Sequence, residues 1–145
     1  MVAVLALVLA GCRAGLSIEP PPSFLVIARD RREVKAITPD EVKLWVREFD
    51  DPHGASASFW GDTLRNELLK NRGYVLIGER KVSDRDGREG LELLMEATAQ
   101  GQAHRYLMTL FVGEGRIRVG ELVGPKPVFD RYLEDVRKAL ASMTS

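Results

Sequence analysis

Leu91-Glu92-Leu93-Leu94-Met95-Glu96-Ala97-Thr98, Tyr106-Leu107-Met108-Thr109-Leu110-Phe111-Val112 and Ile117-Arg118-Val119-Gly120-Glu121-Leu122-Val123 follow one another with little between them. Leu91, Leu93, Met95 and Ala97 alternate with Glu92, Leu94, Glu96 and Thr98, and Tyr106, Met108, Leu110 and Val112 alternate with Leu107, Thr109 and Phe111. A period of two is the mark of a strand. Gln100-Gly101-Gln102 and Gly113-Glu114-Gly115 supply short turns, so the three runs read as an antiparallel meander. Leu107 and Phe111 put apolar side chains on the second face as well, which predicts helical cover there rather than water.

Downstream, Gly124-Pro125-Lys126-Pro127 breaks the sheet and an amphipathic helix follows. Phe129, Leu133 (or Tyr132), Val136, Leu140 and Met143 fall on one side, and Glu134 and Lys138 are spaced to pair outside. Upstream, Ser83 to Gly90 is a polar turn, and Tyr74 to Val82 reads as a strand. Before it a helix is predicted from Ser56 or Ser58 to Arg72, with Trp60, Leu64 and Leu68 on one face and Gly73 as the stop. Thr38-Pro39-Asp40-Glu41 has two readings. As a helix start it has Thr as N-cap and Pro at the first position. As a turn it leads into a strand in which Val42, Leu44 and Val46 alternate with Lys43, Trp45 and Arg47. The β-branched and aromatic content favours the strand. Phe24 to Ala28 and Val34 to Ile37 are two short strands around a polar turn, Arg29-Asp30-Arg31-Arg32. The fold class expected is α+β: an antiparallel sheet with a long C-terminal meander, packed by a central and a C-terminal helix.

The N-terminus speaks to location. Val2 to Leu9 is apolar and too short to span a bilayer as a helix, which takes about 20 residues. It ends in Leu9-Ala10-Gly11-Cys12, which resembles the lipobox of bacterial lipoproteins. The resemblance implies a signal peptide over 1–11, cleavage before Cys12, a diacylglycerol on the Cys12 thiol and a further acyl chain, palmitate-like, on its amine. Met1-Val2-Ala3 lacks the Lys or Arg with which such signals begin, so the natural start is expected upstream. Residues 12–23, with Gly15 and Pro20-Pro21-Pro22, read as the lipidated Cys and a stiff linker, and 24–145 as a single domain. Arg13 stands where an Asp would signal inner-membrane retention. The expected location is therefore the periplasmic face of the cell envelope, with the outer membrane slightly favoured.

Phe59-Trp60, Arg72-Gly73-Tyr74, Gly87-Arg88-Glu89-Gly90, Tyr106, Arg116-Ile117-Arg118-Val119 and Phe129, in this order of elements, resemble the PsbP-like fold over about residues 24–143. That family includes the PsbP subunit of photosystem II, a Ran-binding nuclear import factor and bacterial envelope lipoproteins. The resemblance implies an α-β-α sandwich and a binding or assembly role rather than catalysis. It transfers no functional residue.

The remaining signals mostly exclude. The chain has 145 residues, 21 basic and 21 acidic. It shows no basic excess of the kind a nucleic-acid binder carries. Cys12 is the sole cysteine, so lipidation leaves no thiol for a disulfide, a metal or a nucleophile. His53 stands beside Asp50 and Asp51, but in a Pro-Gly loop where these residues are good turn formers. His104, at a strand start, has a surface position as its expectation. Asp84-Arg85-Asp86-Gly87 lacks the later ligands of a calcium loop, and Gly113-x-Gly115 has no helix after it. Ser56 and Ser58 have no nucleophile-elbow context. No cofactor and no metal are expected. Trp45, Asp50, Asp51 and His53 are the candidate partner contacts, on a surface formed by 50–58 and the Trp45 face. The expected function is a non-enzymatic, lipid-anchored binding or assembly module for a membrane-associated complex. The alternatives are a lipid-anchored ligand-binding domain or hydrolase, and a surface in which Trp45, Lys43 and Arg47 rest on the membrane.

Overall fold

The computed structural model describes residues 15–144, so Cys12 and the expected signal lie outside the described residues. Seven strands form one antiparallel sheet: β1 (Leu25–Arg29), β2 (Glu33–Ile37), β3 (Lys43–Asp50), β4 (Val75–Ser83), β5 (Glu89–Ala99), β6 (Gln102–Gly113) and β7 (Arg116–Pro125). Their order is β1-β2-β3-β7-β6-β5-β4. Helix α1 (Ala57–Arg65), prolonged by a π-helical turn (Asn66–Asn71), lies on one face, and α2 (Lys126–Ala141) belongs to the core cluster of the other. This is the α+β sandwich that the sequence predicts.

The meander forms for the reason its pattern gives. Gln100 and Gly101, and again Glu114 and Gly115, all take positive φ, the twist that a two-residue hairpin between right-twisted strands requires. Alternation then separates two cores. Leu107, Phe111 and Leu122 join Leu44, Val46, Phe129, Leu133, Val136 and Leu140 in one cluster. Leu93, Met95, Met108, Leu110, Ile117 and Val119 join Leu68 of the π-helical turn in the other. At Gly120 the first cluster is so tight that a Cβ would sit 2.4 Å from a methyl of Leu140.

Of the two readings of 38–49, the strand is the one formed. The Thr38 hydroxyl accepts from the Val42 N–H at 3.0 Å and the Glu41 N–H donates to the Thr38 carbonyl at 3.1 Å, which closes a turn. Glu41 has φ of 66°, a value no α-helix contains.

Two expectations need correcting, and one expected element differs in its last turns. Of the expected linker, residues 15–23 are not a free spacer. Leu16 and Ile18 are buried among the α2 core residues, the Leu16 N–H donates to the Arg31 carbonyl, and Ser17 pairs with Thr144. The folded domain therefore begins some eight residues before Phe24, and the Pro run lies within it. The helix capped by Ser56 keeps its expected length, but its last turns widen to π geometry before Gly73. Glu134 pairs with Arg137 at 2.6 Å rather than with Lys138, and Arg137 also reaches Glu92 on the sheet at 2.7 Å.

Candidate functional site

The two faces of the sheet are not equally covered. Helix α1 packs on β5 and β6, and its cluster reaches β7. On the same face, β1, β2 and β3 present Ile27, Lys35, Ile37, Lys43 and Trp45 around a cavity of about 450 Å³. Tyr106, Glu121 and Val123 continue its floor, and Arg72, just after the π-helical turn, stands at its wall.

Period two explains why these side chains meet. On β2 and β3, Val34, Ala36, Leu44 and Val46 are buried against α2, so Lys35, Trp45 and Arg47 must point the other way. Lys35 lies directly opposite Trp45 in register. The Lys35 ammonium sits 4.7 Å and the Arg47 guanidinium 3.8 Å from the Trp45 ring centroid. The indole N–H donates to Glu33, which also pairs with Lys35 at 3.2 Å. Trp45 is thus half-buried and held by cations and a hydrogen bond. A rigid aromatic side chain of this kind loses little entropy on binding.

Charge on this face is only partly internal. Glu121 is taken by Arg47 at 2.7 Å and by the Tyr106 hydroxyl. Burial, reinforced by the Glu121 carboxylate, pushes the Tyr106 phenol well above its ordinary range. Arg72 leans on Glu67 at 3.3 Å. Lys43 is exposed and, among the described residues, has no carboxylate partner.

The other sequence candidates do not assemble with Trp45. Asp50 falls on the opposite face of β3 and pairs with Arg32 at 3.1 Å. Asp51, expected on the contact surface, is 3% exposed and turned inward: it accepts from the Trp60 indole N–H at 3.2 Å, and its own N–H donates to Gly115. His53 is exposed in its loop. Ser56 caps α1 by accepting from the Phe59 N–H. These groups are held apart by their separate structural tasks and form no acid-base or nucleophile set. Among the described residues no three His, Cys, Asp or Glu side chains converge as metal ligands. His104 is half-buried near the start of β6, with its ring against the Gln102 carbonyl.

Sequence reasoning missed a second concentration of charge, inside the protein. Arg118 donates to Glu48 at 3.0 Å and lies 3.6 Å from Asp84. Arg88 reaches Asp84 at 3.4 Å and Glu114 at 2.8 Å, and Arg116 reaches the other Glu48 oxygen at 2.8 Å. Glu48, Asp84, Arg88 and Arg118 are all buried. They join β3, β7 and the 84–88 turn, and their role is structural. Sequence alternation puts Glu48 and Arg118 on the α2 side, where an apolar residue is expected, and that was the available signal.

No known family profile matches the chain, and no curated protein matches it in sequence. Solved structures do match in fold. CyanoP, the cyanobacterial PsbP of Synechocystis, superposes with a TM-score of 0.61 at 14% identity, over 90% of this chain and 92% of its own. LpqN of Mycobacterium tuberculosis, described as involved in cell envelope biogenesis, gives 0.66 at 10% identity, over 93% and 86%. The Ran-binding protein Mog1p of Saccharomyces cerevisiae gives 0.66 at 10% identity, over 90% and 89%. The domain therefore has the fold of the PsbP-like proteins, as its local sequence features imply.

Proposed function

We propose that the protein is a non-enzymatic binding or assembly module held at the cell envelope, and that it docks a protein partner on the open face of β1–β3. The observation that carries this reading is the cation-clamped Trp45 on a part of the sheet face that, among the described residues, no helix covers. Aromatic anchors in a partly apolar, polar-rimmed patch are what protein interfaces concentrate. The fold neighbours include a Ran-binding protein and one involved in envelope biogenesis, which makes a binding role a natural use of this scaffold.

The envelope part of the proposal rests on Cys12. One acyl chain gives marginal membrane binding and two or three give a firm anchor. Leu16 is already buried, so lipidated Cys12 would sit four residue steps away, at most ~14 Å of extended chain. A domain so tethered works at the membrane surface, with the outer membrane favoured by Arg13.

Co-purification from native envelopes tests this reading, with wild-type, Cys12→Ala and Trp45→Ala proteins as bait. A stoichiometric protein partner is expected with the wild type. Trp45→Ala is expected to lose it, and Cys12→Ala to weaken it. Recovery of lipid with no protein would overturn the assembly reading.

A further inference from the structure

We infer that the partner fills the open half of the sheet face with an acidic amphipathic helix, completing the layer that α1 leaves unfinished. The inference rests on the reading of this face as a docking surface and adds what docks there.

Three strands set about 4.8 Å apart make a floor about 10–14 Å wide, the room one helix of about 10 Å diameter needs. The layer is already helical: α1 and its π-helical turn occupy the neighbouring half, and Arg72 at their end forms the wall of the open half. Ile27, Ile37, Trp45 and Val123 line the cavity there and suit the apolar stripe of an incoming helix. Ile27 is 61% exposed on an edge strand, an unusual place for a large apolar side chain, and a bulge between Val26 and Ala28 leaves it unmatched in the ladder.

Charge decides the polar side of that helix. Lys35, Lys43 and Arg72 line the cavity; Lys35 already pairs with Glu33 and Arg72 with Glu67, and the lining carboxylate, Glu121, is occupied by Arg47 and Tyr106. Lys43 in particular has no carboxylate partner among the described residues. A helix with Glu or Asp flanking its apolar stripe supplies what is missing, and a basic helix would meet like charge. The chain's own first 14 residues do not fit, since Arg13 is their sole charged side chain.

The test uses the full-length protein and two synthetic 16-residue helices with the same leucine stripe, one with glutamate and one with lysine on its polar face. Binding is read by calorimetry and by Trp45 fluorescence in a Trp60→Phe background. The glutamate helix is expected to bind at least tenfold more tightly than the lysine helix. Lys43→Glu is expected to erase or reverse that preference, and Lys43→Arg to keep it. Lys43 is exposed, and a thermal melt checks that both variants fold. Equal binding of the two helices, no binding of either, or a preference indifferent to Lys43→Glu would overturn the inference. So would self-association through this face, or a small carboxylate such as decanoate displacing no helix while quenching Trp45. Failure here with a protein still captured through Trp45 would leave the docking face standing and remove only the helix. Loss of that capture would remove both.

Discussion

Arg118→Met tests whether the buried ions hold β3 in place beneath Trp45. Arg118 is 1% exposed, and its side-chain partners Glu48 and Asp84 are also buried. Removing one partner of a buried ion pair costs about 3–5 kcal/mol, because the other charge stays desolvated. Here each carboxylate keeps a second guanidinium, Arg116 on Glu48 and Arg88 on Asp84, so the lower figure of about 3 kcal/mol applies. With an unfolding entropy near 2.1 cal/mol/K per residue over roughly 130 folded residues, that is a fall in Tm of about 11 °C. Replacing both Glu48 and Arg118 by apolar residues of similar volume is expected to cost less than the two single losses added together, since each single variant leaves the other member of the pair buried with one partner fewer. Urea unfolding followed by circular dichroism gives both values. A loss under about 1 kcal/mol for Arg118→Met, or a double variant as unstable as the two single losses added together, would refute the reasoning.

Other outcomes follow from the same geometry. Tyr106 is expected to stay un-ionised in the folded protein where free phenols titrate, so phenolate absorbance at about pH 11 should fall short of three tyrosines until urea is added. Its raised value means that its contribution to stability is present below the ordinary phenol range, about 10, and is lost as pH rises through the folded value; three phenolates titrating together near pH 10 in the native protein would contradict this. Asp40 behaves in the opposite sense: the Thr38 hydroxyl, and then that of Tyr132, hold its carboxyl below the usual range. Its contribution is present above about pH 4 and is lost as pH falls through the depressed value, so Asp40→Asn should flatten the acid limb of a Tm-against-pH curve. Ile18→Ala is expected to cost about 2–4 kcal/mol in urea unfolding because Ile18 belongs to the α2 core, whereas a residue of a free linker would cost about nothing.

The meander and the C-terminal helix were legible because each carries its own periodicity and its own stop: alternation ended by Gln100-Gly101 and Glu114-Gly115, then a 3.6-residue stripe from Phe129 to Met143. The strand over 43–50 needed more, since Thr38 suits both a helix cap and a turn, and only the pairing of β3 with β2 and β7 decides between them. Leu16 and Ile18 were overlooked because two apolar residues ahead of a triple proline make no pattern, and their burial comes from α2 and Thr144, far away in sequence. Asp51 misled because an Asp-Pro-His-Gly loop looks solvated, while its partners Trp60 and Gly115 lie in other elements. Of the open face, Trp45 with Lys43 and Arg47 could be read from alternation alone. Lys35, Arg72 and Glu121 join it only through sheet order and the position of the helix end.

The most direct test of the docking face is site-specific photo-crosslinking in the native cells. A photoreactive residue replaces Lys43 on the open face in one protein and Lys138 on α2 in another. A single protein adduct in high yield from position 43, and none from 138, is the expected result. Adducts of equal yield from both positions, or from 138 alone, would contradict it.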